Sequence, residues 1–402
     1  MNKASPRDPA EGLILRLVRQ QGTHTRASLG EATGWARSTV ARRVDSLVES
    51  GLLDQGEAPS TGGRPPEQFS FNQYAGSFVV ADLGITHSTL ARVDLNGDPL
   101  SEPVDLELDL TAGPSPTLPV IREVIDDLIA ASDLPPLLAV GVGLPAPIDA
   151  NTQRPSDPPI LSAWNGYPLA ESIAPEVSVP TFVENDANLM AVGEYRRRWP
   201  QARSLVFVKV GTGIGAGIVV RDRLYRGAHG AAGDIGHIQL EAHADQLCQC
   251  GRNGCLEAIA GGGALAKRVS ALGRRAENAR AVASLVHSGD PEVKSLVRTA
   301  GTHIGSVLAG VVSFANPDVI VLGGDLGIEP LILSSVRAEV HSRPLALASR
   351  DLTVQSSQLG RTVGIIGAAE LVLDRLWPAH DTGLLGRSAR DGAGRARTPT
   401  PR

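Results

Sequence analysis

The sequence predicts an α/β chain with a small winged helix-turn-helix head and a much larger layered body. Three observations carry this. In the first 70 residues, helix caps and apolar periodicity mark three short helices, followed by two strands around a Gly/Pro-rich tip. From Ser77 to about Leu376, β-branched apolar runs alternate with helical stretches, the pattern of buried sheets covered by helices. All three cysteines fall between Cys248 and Cys255, a cluster that suits a metal better than a disulfide framework.

A chain of 402 residues, 42% of them hydrophobic, exceeds what one core usually serves, so two or three domains are expected. No apolar run approaches the roughly 20 residues needed to cross a bilayer. The polar start MNKASPRDPAEG lacks the apolar stretch of a signal peptide. These features predict a cytoplasmic protein without a membrane partner. With a net charge of -5, any nucleic-acid binding must come from a local basic patch.

The head, residues 1–72, contains that patch. Asp8-Pro9-Ala10-Glu11 offers a cap, a proline at the first helical position and an early carboxylate before the apolar stretch Leu13, Ile14, Leu17, Val18. Thr25 caps a second helix that Gly34 ends, and a third runs from about Arg37 to Ser50 before Gly51. In the third, Val40, Val44, Leu47 and Val48 form the buried stripe, which leaves Arg37, Ser38, Thr39, Arg42 and Arg43 for the surface. Six arginines (16, 19, 26, 37, 42 and 43) face a single acid, Glu31, between Arg16 and Arg43. Leu52 to Asp54 and Gln68 to Phe71 read as strands flanking a wing tip, Gly56 to Pro66, that carries Arg64. A helix presenting these five side chains suits the major groove, and a wing arginine suits the minor groove of double-stranded operator DNA. The alternative is a docking domain with a solvated basic face.

The body follows a linker near Asn72 to Gly76. Strands are expected at 77–82, 137–143, 181–183, 204–210, 216–220 and 319–322, with helices around 119–131, 187–198, 265–285, 293–314 and 366–376. The Asp94-Leu95-Asn96-Gly97-Asp98 turn predicts that the first strands form an antiparallel meander. From Ala379 onward the composition predicts a disordered tail, 379–402, leaving 77–378 for the body.

Cys248-Gln249-Cys250-Gly251-Arg252-Asn253-Gly254-Cys255 places three thiols in a loop tight enough to surround one zinc ion. A fourth ligand is needed. His237, in Gly233-Asp234-Ile235-Gly236-His237, is the first candidate, with His229 and His243 as competitors. With four protein ligands the zinc would be structural.

The segment C-x-C-G-x-x-G-C-L-E ending at Glu257, preceded by G-D-I-G-H, resembles the signature of the ROK family (repressor, open reading frame, kinase). Glu184-Asn185-Asp186-Ala187-Asn188 resembles the family's sugar-binding segment. Val208 to Gly215 resembles its second phosphate loop, and Asn316 to Gly324 its nucleoside-side strand and turn. The N-terminal winged helix ending in Gly-Gly-Arg-Pro resembles the repressor branch. The resemblance implies a two-lobed fold like that of actin and hexokinase (ribonuclease H-like). It assigns Asn185, Asp186, Asp234, His237 and Glu257 to a sugar, and His237, Cys248, Cys250 and Cys255 to zinc. Where the family usually carries glutamate this chain has Asp234, which draws the carboxylate back by one methylene.

Kinases of the family would use the residue matching Asp186 as the base that takes the proton from the attacking sugar hydroxyl. Their nucleotide site corresponds here to Asp82, Gly84, Thr86, Gly211, Thr212, Gly213, Gly215, Gly323 and Gly324. However, Ile85 stands where the kinases usually have a second glycine, so a β-branched side chain sits where backbone should approach ATP and its magnesium. The expectation is a sugar-responsive transcription regulator, a repressor released by a sugar or sugar phosphate and acting as a homodimer or homotetramer on a pseudo-palindromic site. The alternative is an ATP-dependent sugar kinase with an appended helix-turn-helix.

Overall fold

Asp8 caps the first helix as its sequence predicts, with Oδ1 accepting from the Ala10 amide at 2.9 Å. The computed structural model describes residues 8–57, 66–131, 133–173 and 178–379. Contacts divide these into two units, one formed by the described residues up to Gly76 together with those from Leu373 onward, the other by Ser77–Val372. The boundary expected after residue 378 therefore moves back to 372. The last turn of the final helix and the residues after it belong to the head's unit.

In the first unit, α1 (Pro9–Gln21), α2 (Arg26–Thr33) and α3 (Arg37–Glu49) precede an antiparallel pair, β1 (Leu53–Glu57) and β2 (Glu67–Phe71). Thr25 forms a reciprocal capping box with Ser28, and Gly34 ends α2 in the left-handed region. His24 exchanges backbone hydrogen bonds with Phe69, which adds a third short piece to the wing sheet. Leu13, Ile14, Leu17, Leu29, Val40, Val44, Leu47 and Phe69 are buried. Val48, expected in the stripe, is only half-buried. The wing tip that carries Arg64 lies outside the described residues.

α1 buries Gly12 and Leu15 as well, because Trp377 and Pro378 return to cover it. A Cβ on Gly12 would lie 2.4 Å from the Pro378 carbonyl oxygen, and Arg16 pairs with Asp374 at 2.7 Å. Gly12→Ala is therefore expected to destabilise the first unit by about 1–2 kcal/mol, since the backbone clash outweighs the gain in helix propensity. Denaturant unfolding checks this, and a raised midpoint would mean that the C-terminal segment does not pack there.

The second unit contains two five-stranded sheets with matching layouts. The first comprises β3 (Ser77–Leu83), β4 (Ser88–Asp94), β5 (Val104–Leu106), β6 (Leu137–Leu144) and β7 (Thr181–Asn185), in the order β5-β4-β3-β6-β7. The second comprises β8 (Ser204–Val210), β9 (Ile214–Val220), β10 (Arg223–Leu224), β11 (Val319–Gly323) and β12 (Thr353–Ser356), in the order β10-β9-β8-β11-β12. In each, an antiparallel meander continues into parallel strands. The expected meander is thus present, and it occurs twice.

α4 (Pro114–Ala130) and α5 (Leu169–Ile173) belong with the first sheet, where Ile121, Val140, Val142 and Trp164 share one core. Between the sheets in sequence lies α6 (Asp186–Arg198). On the second sheet follow α7 (Leu256–Ala260), α8 (Gly262–Ala271), α9 (Ala279–His287), α10 (Pro291–Ala315), α11 (Gly324–Gly327), α12 (Pro330–Ser342) and α13 (Ala346–Ser349). Their core joins Val208, Leu256, Leu265, Ile304, Leu308 and Val336. The single helix expected over 265–285 is two, α8 and α9, because Gly273 takes a left-handed conformation that breaks the run. α14 (Thr362–Leu376) closes the fold. Among the described residues no helix is long and apolar enough to cross a membrane.

Candidate functional site

On the head, α3 presents Arg37, Ser38 and Arg42 as exposed residues, with Thr39 half-buried. Arg37 and Arg42 carry no ion pair among the described residues. Arg43 departs from the sequence expectation, since its guanidinium turns inward to pair with Asp8 and lies 3.8 Å from Glu11. Two more arginines of the patch are also committed. Arg26 bridges Asp45 at 2.7 Å and Glu67 while lying over the Phe69 ring, and Arg16 holds Asp374. Sequence counting overstated the basic surface because the partners of these side chains lie in other elements.

In the body, the loop from Cys248 to Cys255 folds back on the turn that ends at His237. The Nδ1 atom of His237 lies 3.7 Å from Cys248 Sγ, and the Cys250 and Cys255 sulfurs are 3.6 Å apart. All four ligand atoms lie within 4.8 Å of one another. A tetrahedron with Zn–S bonds of about 2.3 Å has edges of roughly 3.8 Å, close to the two shortest separations, so this donor set suits a four-coordinate ion. His229 and His243 are outside this group; the His243 ring packs edge-on against His303. Burial and the neighbouring thiols push Cys255 up to about 12 without a metal, so a cation is what would hold it as thiolate.

With Nδ1 on the cysteine side, Nε2 of His237 faces Asp234, 4.0 Å away. A metal held on the cysteine side would therefore leave the other ring nitrogen to the pocket, with Nε2 fixed as a donor. Glu257 reaches the same space from α7 and accepts from the Ile214 amide at 3.0 Å. A Cβ on Gly213 would sit 2.3 Å from the Glu257 carboxylate, so a side chain there would push that carboxylate aside. Burial raises the Glu257 carboxyl above its ordinary range, against the pull of that amide and of His237.

β7 and α6 supply the opposite wall. Asn185 caps α6 through the Asn188 amide at 3.1 Å and donates to the Ala146 carbonyl at 3.0 Å. Asp186, 4% exposed, pairs with the Lys209 ammonium. One cavity is lined by Asn185, Asp186, Lys209, Asp234, His237 and Glu257, which brings all five residues assigned to a sugar around a single space.

A second cavity adjoins it. Asp82, Gly84, Thr86, Gly211, Thr212, Gly323 and Gly324 line this one, whereas Gly213 and Gly215, expected with them, line the first. Burial raises Asp82 to about 6, partly offset by Lys209 and reinforced by Asp186.

The ROK family model matches residues 79–375, almost the entire second unit. The chain belongs to the ROK family. A model described as winged helix-turn-helix DNA-binding matches residues 7–54. Similarity extends to whole ROK proteins. The xylose repressor of Bacillus subtilis is 30% identical over 371 residues, covering 90% of this chain and 94% of that protein. The DNA-binding transcriptional dual regulator NagC of Escherichia coli is 27% identical over 374 residues, covering 89% and 91%. Among solved structures, a ROK family transcriptional regulator homologous to the E. coli MLC protein shares the fold over 94% of this chain and 98% of its own, with a TM-score of 0.77 at 22% identity. A ROK family glucokinase from Streptomyces griseus, solved with glucose and AMPPNP, covers 74% of this chain and 99% of its own, with a TM-score of 0.62 and 29% identity.

Against this ROK background, sequence reasoning missed several polar groups. Lys209 lies inside an apolar strand, Val208-Lys209-Val210, a stretch marked from sequence only by its resemblance to a phosphate loop. Glu184 pairs with Arg226 at 2.7 Å and accepts from Asn188 at 3.0 Å, which buttresses the wall that carries Asp186. Arg280 and Arg361 line the second cavity. The long-range partners could not be found from spacing, since Lys209 lies 23 residues from Asp186 and Arg226 lies 42 from Glu184.

Proposed function

We propose that this chain is a sugar-responsive, DNA-binding repressor whose head reads double-stranded operator DNA and whose body binds the effector. The observation that carries this is similarity to the xylose repressor across both head and body, joined to a pocket in which three carboxylates and an imidazole converge. Carboxylates accept from sugar hydroxyls, and a metal-bound imidazole donates. In this reading Asn185, Asp186, Asp234, His237 and Glu257 hold the sugar. His237, Cys248, Cys250 and Cys255 hold a structural zinc that orients His237 without taking part in chemistry. Arg37, Ser38, Thr39 and Arg42 face the operator, and the wing with Arg64 adds a second contact.

A homodimer, alone or paired into a tetramer, places two such heads on a pseudo-palindromic site one helical turn apart. Sugar binding shifts the population toward an arrangement whose heads no longer match that spacing, and the operator is released. The test is a mobility shift of the chain's own upstream DNA with added D-xylose, D-glucose, N-acetylglucosamine and their phosphates. One of these is expected to release the DNA. A chain that ignores this DNA at modest salt, or holds it equally with every carbohydrate, contradicts the reading.

A further inference from the structure

Ile85 and Lys209 are the two residues common to the walls of both cavities, so together they form the partition between them. The ammonium lies at the end of β8, its side chain 21% exposed, with Asp186 as its ion-pair partner. Asp186 Oδ1 accepts from the Ala187 amide at 2.7 Å, so both carboxylate oxygens are engaged. We propose that Lys209 is the specificity-determining residue of the carbohydrate pocket: with Asp186 it reads one hydroxyl of an unphosphorylated sugar and keeps that carboxylate from serving as a base. The proposal deepens the repressor reading and rests on it.

The chemistry follows from the pair. A hydroxyl is both donor and acceptor, so it can donate to an Asp186 oxygen while accepting from the Lys209 ammonium. A phosphate brings about -1.5 to -2 charges and donates little. Inside the pocket it would meet Asp234 and Glu257 as well, with one ammonium already paired to Asp186. The field there favours a neutral ligand over an anionic one.

Phosphoryl transfer would need the sugar O–H bond to break, its proton to pass to Asp186, and the oxygen to bond to phosphorus as the nucleotide's leaving group departs. Protonating Asp186 would remove the nearest counter-charge of a half-buried ammonium, leaving Asp82 and Asp325 to balance it. Burial opposes the charge on Lys209, yet Asp186 and Asp82, with help from Asp325, outweigh it and favour the protonated ammonium. The ion pair therefore persists through sugar binding and opposes the transfer.

Titration calorimetry on the full chain tests this with D-xylose, D-glucose, N-acetylglucosamine, glucose 6-phosphate and N-acetylglucosamine 6-phosphate. The wild type is expected to bind one neutral sugar at least about ten-fold more tightly than any phosphate, and to release no ADP from MgATP in its presence. Lys209→Met should weaken that sugar by about ten-fold or more, the loss of a charged hydrogen bond, with metal content unchanged. Lys209→Gln, which restores an N–H donor, should recover part of the affinity and carries the test if Lys209→Met does not melt cooperatively. Tighter binding of a phosphate by the wild type, unaltered sugar affinity in both variants, or sugar-dependent ADP release each overturns the proposal. If the wild type binds no carbohydrate and shifts no operator, the repressor reading itself fails; a responsive repressor with unaltered variants removes only the role of Lys209.

Discussion

Cys255→Ser is expected to purify with much less than one zinc per chain and to lose sugar affinity by roughly ten- to a hundred-fold, the range seen when a metal-ligand shell is broken. Cys255 is completely buried at the start of α7, and Glu257 follows two residues later. Losing the ion releases His237 from its fixed tautomer and loosens the end of α7 that presents Glu257. Structural zinc contributes on the order of 10 kcal/mol in small metal-bound domains, so a lower melting temperature should accompany the change. Strong chelator should reproduce the effect in the wild type. Elemental analysis and calorimetry decide it: full sugar affinity in a metal-free protein would show that the cluster does not orient the pocket.

Arg42→Ala should weaken operator binding by about 1–3 kcal/mol, or roughly five- to a hundred-fold, if the exposed guanidinium forks onto a base. If it meets phosphate instead, the loss should be similar across sequences and the salt dependence of binding should flatten. Arg43→Ala provides the contrast, because that side chain is tied to Asp8 and Glu11 at the start of α1. Its expected cost falls on head stability, with operator affinity unaltered once the fraction folded is taken into account. Mobility shifts at several salt concentrations, with melting curves, separate the two. The reverse outcome, a silent Arg42 and an operator-defective but stable Arg43 variant, would mean that the reading face is turned the other way.

Much of this was legible because the signals were local. The caps at Asp8 and Thr25, the stripe on α3 and the Cys248–Cys255 loop each declare themselves within a few residues, and physical chemistry leaves short motifs little choice. What was not legible depends on partners distant in sequence. Arg43 looked available until Asp8 and Glu11 were found beside it. Lys209 carried no role of its own until Asp186, 23 positions earlier, was seen against it. β12 was missed because Thr353–Ser356 is short and polar; β4, implied by the expected meander, had no bounds because Ser88–Asp94 carries Arg92, which is buried by hydrogen bonds to the Leu128 and Pro135 carbonyls. The apparent helix over 265–285 failed at one glycine, where backbone conformation overrode side-chain periodicity.

The seam between Gly12 and Pro378 has a consequence for how the molecule comes into being. A nascent chain with only its first 76 residues outside the ribosome would expose the face of α1 that Trp377 and Pro378 later cover. A chain cut short before α14 is therefore expected to carry a head with part of α1 uncovered. Segments from either side of the second unit in sequence, α1 and Trp377–Pro378, close one core, so a finished head comes only together with the body.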